Sequence, residues 1–140
     1  MKKRIFAALC ALLLILSLSA CAAKKTTCTL TIACETALTS AELDAETVAA
    51  LPSDGYLLPA TEVEFTDGES VLEVLRRTAQ EHALTLDVVD GEYPYVNAIG
   101  ELAGGSAGPM AGWLFSVNGE YPSVGAADIK VQAGDAIVFS

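Results

Sequence analysis

Three aromatic side chains gather around one turn and are the groups best suited to hold a ligand. Trp113, Phe115 and Tyr121 sit within Gly112-Trp-Leu-Phe-Ser-Val-Asn-Gly-Glu-Tyr-Pro-Ser-Val-Gly125. Asn118-Gly119 is the preferred pair for a two-residue type I′ turn, because both central residues need positive φ. Such a loop sets Val117 opposite Glu120 and Ser116 opposite Tyr121. Pro122 has no N–H for a ladder, so the return strand is short or at an edge. Trp113, the single tryptophan, has two readings. It is a core side chain, or with Tyr121 it lines a flat apolar surface that holds a ligand by ring faces rather than by charge.

Catalytic chemistry has little to stand on. His82 is the only histidine, on the polar margin of a helical stretch. Glu62 and Glu64 alternate along a strand and read as a solvated face. No Ser-His-Asp set is visible. Gly104-Gly105-Ser106 lacks the lysine and the strand-to-helix setting of a phosphate loop. Cys28 and Cys34 with one distant histidine fall short of the three or four ligands that zinc takes. They bracket Thr-Leu-Thr-Ile-Ala, which alternates as a strand does. Six extended residues span roughly 20 Å, whereas a disulfide needs Cα atoms within about 7 Å. Both are therefore expected as free structural thiols. Neither catalysis nor a cofactor is expected.

The start of the chain speaks to location. Lys2, Lys3 and Arg4 precede an uncharged apolar run from Ile5 to Leu18, then Leu18-Ser19-Ala20-Cys21. This is the layout of a secretory signal peptide with small residues before the cut. The cysteine directly after Leu-Ser-Ala resembles a bacterial lipobox, which implies lipidation at Cys21. The competing reading is an uncleaved anchor, since the stretch from Ile5 to Ala23 is long enough to span a bilayer. Both readings tether the domain to a membrane on its extracytoplasmic face. The organisation expected is a signal peptide over 1–20, a lipidated short linker over 21–27, and one domain over 28–140.

Composition bounds the partners. All 18 acidic residues follow Cys21, against five of the 8 basic ones, a net charge of −13 beyond the signal. Nucleic acid is a poor partner for such a surface. About 120 residues are enough for one real core.

The elements that must position the aromatics are read in order. Cys28 to Cys34 is a strand. Ala41 to Ala50 is a short helix with Leu43, Thr47, Val48 and Leu51 at helical spacing, and Ser53-Asp54-Gly55 a turn. Ala60 to Phe65 is a second strand. Ser70-Val-Leu-Glu73 is a capping box, opening a main helix from Val71 to about Ala83 with Val71, Leu72, Leu75 and Ala79 on one stripe. Leu84 to Val89 and Tyr93 to Ile99 are strands. Gly100 to Gly112, with five glycines, is a mobile loop. Ile129 and Val131, then Ile137 and Phe139, flank a turn and close the sheet. One long helix among strands on both sides of it in sequence implies an α+β fold, a β-grasp-like mixed sheet with one face covered by the main helix.

Four ordered stretches carry a family resemblance: Gly68-Glu-Ser-Val-Leu-Glu-Val-Leu75, Pro94-Tyr-Val-Asn-Ala-Ile99, the 112–125 segment and Val131-Gln-Ala-Gly-Asp-Ala-Ile-Val-Phe139. Together they resemble the C-terminal domain of transcobalamin and intrinsic factor, and a bacterial family of exported single domains similar to it. The resemblance covers nearly all of 28–139. It implies a β-grasp domain that binds a soluble ligand, with cobalamin or a related corrinoid as that ligand. In the carriers the domain closes over one face of the corrin opposite a helical barrel, and this chain has no barrel. By position the resemblance implies ligand contact at Tyr95, the loop before Trp113, and the hairpin through Gly125. Trp113, Phe115 and Tyr121 would supply apolar faces, and Asn97, Ser116 and Asn118 polar groups. Tyr95 and Phe115 also read as core, and Asn118 as turn only.

Two functions follow. One is a membrane-anchored lipoprotein that captures cobalamin or a related corrinoid for uptake, passing it to an importer. The other is a cell-surface module that binds a protein or the envelope through its hairpin.

Overall fold

The computed structural model describes residues 26–140. Cys21, the signal segment and most of the linker lie outside the described residues. Among the described residues, no helix is long and apolar enough to cross a membrane.

The chain forms an α+β fold with two sheets. Strand β1 (Thr27–Ala33) is central in the larger one. It pairs antiparallel with β2 (Tyr56–Glu64) and parallel with β7 (Ala136–Phe139), and β7 pairs antiparallel with β6 (Phe115–Val117). The order β2-β1-β7-β6 is thus a mixed sheet. A second, antiparallel sheet holds β3 (Leu86–Val89), β4 (Tyr95–Ile99) and β5 (Leu102–Ala103).

Cys28, Leu30 and Ile32 alternate inward on β1 and are buried. They meet Ile137 and Phe139 of β7, and Val96 and Ile99 of β4, in one core. Each such aliphatic side chain contributes about 1.5–3 kcal/mol by leaving water. The main helix α3 (Val71–Glu81) completes that core with Val71, Leu72, Val74, Leu75 and Ala79. Its start is set by the expected capping box: the Ser70 hydroxyl accepts from Glu73 N–H at 3.2 Å, and the Glu73 carboxylate accepts from Ser70 N–H at 2.7 Å. Two first-turn donors, Val71 N–H and Leu72 N–H, bond to the carbonyls of Ile129 and Ala126 at 2.9 and 3.0 Å. Those bonds hold the 126–129 segment against the helix.

Several expectations need correction. A short helix, α1 (Glu35–Leu38), lies before the helix expected over 41–50, which is only α2 (Ala45–Ala50). The second starts late because Asp44 accepts from the N–H groups of Glu46 and Thr47 and acts as its N-cap. Strand β2 begins at Tyr56, earlier than expected, and runs through Pro59. A proline is tolerated there because β2 is an edge strand. The 100–112 loop is wound by its own backbone bonds, including Gly105 N–H to Ala111 O at 2.8 Å, and contains β5. Val131 lies outside the strands; Lys130 makes only an isolated bridge with Ser70.

Candidate functional site

The turn at Asn118-Gly119 has the expected geometry, with φ of 54° and 83°. Val117 and Glu120 exchange backbone bonds of 2.9 and 3.1 Å. The pairing of Ser116 with Tyr121 does not form. Ser116 is paired instead with Val138 of β7, and the chain leaves the ladder after Glu120. The partner of β6 is therefore a distant strand rather than its own return limb.

That departure opens a groove of about 370 Å³. One wall is Trp113, Leu114 and Phe115. The other is the 121–125 limb, with Pro94 and Tyr95 closing the side and Leu72 and Phe139 lining the same space. Five expected residues come together there: Tyr95, Trp113, Phe115, Tyr121 and Gly125. Three do not. Asn97 donates from Nδ2 to the Asp87 carboxylate at 2.6 Å. Ser116 is buried in the sheet. Asn118 donates from Nδ2 to Asp135 Oδ1 at 2.8 Å and accepts from Ala136 N–H at 2.9 Å, so it clasps the hairpin to the β7 turn.

The ring positions are fixed individually. Phe115 stacks on Phe139 with centroids 5.6 Å apart and planes inclined by 24°. Trp113 is half-buried and its Nε1–H donates to the Leu102 carbonyl at 3.0 Å. Trp113 therefore belongs to both readings: its indole edge is tied to β5, while the residue lines the groove. Tyr95 and Tyr121 are 57% and 65% exposed, so their faces are open to an incoming molecule. Leu114 and Val124 extend this apolar rim, and sequence reading missed them because neither is aromatic nor at a turn.

Among the described residues, no lysine or arginine lines the groove. Arg76 pairs with Asp90, and Arg77 with Glu69 and Glu81, on the outer side of α3. Asp128 lies beside Gly125. The site is an uncharged, aromatic slot with an acidic flank. It can hold a flat, largely apolar molecule by ring contact, with tyrosine hydroxyls and backbone groups for polar matching.

Behind Trp113 lies a smaller hollow of about 70 Å³ that reaches Cys34. Cys28 and Cys34 are both free and buried. Burial pushes both thiols up, helped by Asp135 at Cys28 and by Asp54 at Cys34. They are neutral and shielded, a poor setting for nucleophilic attack. Among the described residues, no three His, Cys, Asp or Glu side chains gather in a metal-holding group.

Residues 68–140 match the family described as Domain of unknown function (DUF4430). The chain belongs to this family. Every groove residue, from Leu72 to Phe139, lies inside the DUF4430 region. The DUF4430 chain is also similar in structure to haptocorrin, solved in complex with Cbi, with a TM-score of 0.54 and 16% identity. That likeness covers 84% of this chain and 25% of the haptocorrin chain, so this chain spans about a quarter of that protein's length. It shows a shared fold. A protein from Ruminococcus gnavus described as a candidate metal-binding protein is similar at a TM-score of 0.46 and 16% identity, over 82% of this chain and 94% of that one. A search of curated proteins finds no match.

Proposed function

We propose that this DUF4430 chain is a non-catalytic ligand-binding domain, tethered to the extracytoplasmic face of a membrane through lipid on Cys21, and that its groove captures a corrinoid or a ligand of similar breadth. The observation that carries the reading is the groove itself: five aromatic residues, Tyr95, Trp113, Phe115, Tyr121 and Phe139, on one uncharged slot of about 370 Å³. A corrin is broad, partly apolar and ringed by amides, which suits ring faces with a few backbone partners. The fold shared with haptocorrin supports the same direction. The slot is open on one side, so a large ligand is gripped over one face and remains available for transfer to an importer.

Calorimetric titration of the full-length protein with cobinamide and with cobalamin tests this. Saturable heat with either ligand is expected. No heat from either at millimolar ligand would count against the reading.

A further inference from the structure

One edge of the groove is an unused strand edge. Along β6 the bonds to β7 fall on alternate residues. Leu114 exchanges both backbone bonds with Ser140 at 3.0 Å, and Asn118 N–H donates to Ala136 O at 2.8 Å. With Phe115 opposite Phe139, residues 114, 116 and 118 turn their N–H and C=O toward β7, and Phe115 and Val117 turn theirs away. Val117 is satisfied by Glu120 in both directions. Beyond Glu120 the limb diverges, with Pro122 in it, and the Phe115 N–H and C=O are left without a backbone partner among the described residues. They face the space between β6 and the 121–125 limb, which is the groove.

An extended residue presents its donor and its acceptor side by side on one edge. A primary carboxamide carries the complementary pair, an oxygen that accepts and a nitrogen that donates. An ester can only accept. A carboxylate can only accept and brings a negative charge, which among the described residues meets no lysine or arginine and has Asp128 nearby. We propose that the groove selects ligands bearing a neutral carboxamide, paired at two points with the Phe115 N–H and C=O, over the matching esters and carboxylates. This rests on the groove being the ligand site and adds the chemical group that the site reads.

The test is calorimetry of the full-length protein with three corrinoids of one skeleton: cobinamide, the heptamethyl ester of cobyrinic acid, and cobyrinic acid. Cobinamide is expected to bind tightest. The ester should be about 3- to 10-fold weaker, the net worth of one hydrogen bond, and the acid weaker again, with its deficit narrowing as salt rises. Equal affinity for all three would overturn the proposal while leaving the ligand site standing. Binding of none would overturn the site reading as well. Two variants isolate the backbone donor. Phe115→Ala removes the ring and keeps the N–H. Phe115→Pro removes both, at an edge position where proline is tolerated. The preference for amide over ester, which rests on the Phe115 C=O kept in both variants, should survive in both, while Phe115→Pro should bind the amide and the ester alike about 3- to 10-fold more weakly than Phe115→Ala does. Equal cobinamide affinity in the folded Phe115→Pro and Phe115→Ala proteins would contradict the assignment. If circular dichroism shows that variant unfolded, the three-ligand series on the unmodified protein decides.

Discussion

Asn118 and Asp135, seventeen residues apart, are joined by a 2.8 Å hydrogen bond between Nδ2 and Oδ1. The same Asp135 accepts from Gln132 N–H through its other oxygen, also at 2.8 Å. One carboxylate thus ties the β6 hairpin to the turn that enters β7. Asn118 fills the left-handed position of its turn and the clasp with a single side chain.

Asn118→Gly is expected to keep the turn and lose both side-chain bonds. At about 0.5–1.5 kcal/mol per bond, the loss is about 1–3 kcal/mol. Asn118→Ala adds the cost of a Cβ at positive φ, a further 1 kcal/mol or so. Urea denaturation measures both. Because Asn118 stands outside the groove, corrinoid affinity of the folded variants should match that of the unmodified protein.

The capping box gives a pH-dependent expectation. The Ser70 N–H, and then its hydroxyl, hold the Glu73 carboxyl below its ordinary range. Its folded value is therefore below the unfolded one, about 4.3. The stability it contributes is complete above that pH and is lost as pH falls through the folded value. Ser70→Ala should cost about 0.5–2 kcal/mol at neutral pH, and Glu73→Gln, which removes the titrating carboxyl, should flatten the acid limb of the stability curve. Thermal melts between pH 3 and pH 7 would show it; an unchanged acid limb would contradict the cap's role.

Cys28 and Cys34 are buried, and burial raises both thiols. In the native protein at pH 8 neither should react appreciably with iodoacetamide. In denaturant without reductant, both should. Peptide mass spectrometry reads each site separately from Cys10 and Cys21. Labelling that needs reductant would mean a bond that the extended β1 does not permit.

What was legible in the chain is what local physics decides. Positive φ at Asn118-Gly119, the Ser70–Glu73 box and the alternation of β1 all depend on residues within one turn or one strand. The misses are non-local. Nothing near Ser116 says that its partner is Val138 rather than Tyr121. Pro59 argues against a strand unless the strand is known to be an edge. Five groove residues were named because aromatics and a glycine at fixed positions are conspicuous. Asn97 and Asn118 bond to Asp87 and Asp135, and a side-chain amide looks the same in sequence whether it meets a ligand or a neighbouring carboxylate.

Aromatic truncation separates binding from folding. Tyr95 and Tyr121 are largely exposed, so their replacement by alanine should leave the melting temperature nearly unchanged. Each lost ring face should weaken cobinamide binding by roughly 2- to 10-fold, corresponding to about 0.5–1.5 kcal/mol. Trp113→Phe, which removes the bond to Leu102 O, should cost stability of about 0.5–1.5 kcal/mol.

The fluorescence of Trp113 tests the central claim most directly. It is the single tryptophan, and it lines the groove. Titration with cobinamide, corrected for absorption by the ligand, should quench it saturably, with the same midpoint as the calorimetric curve. Quenching that rises linearly to millimolar ligand, or saturable heat with no change in the indole emission, would place any binding elsewhere and contradict the groove as the site.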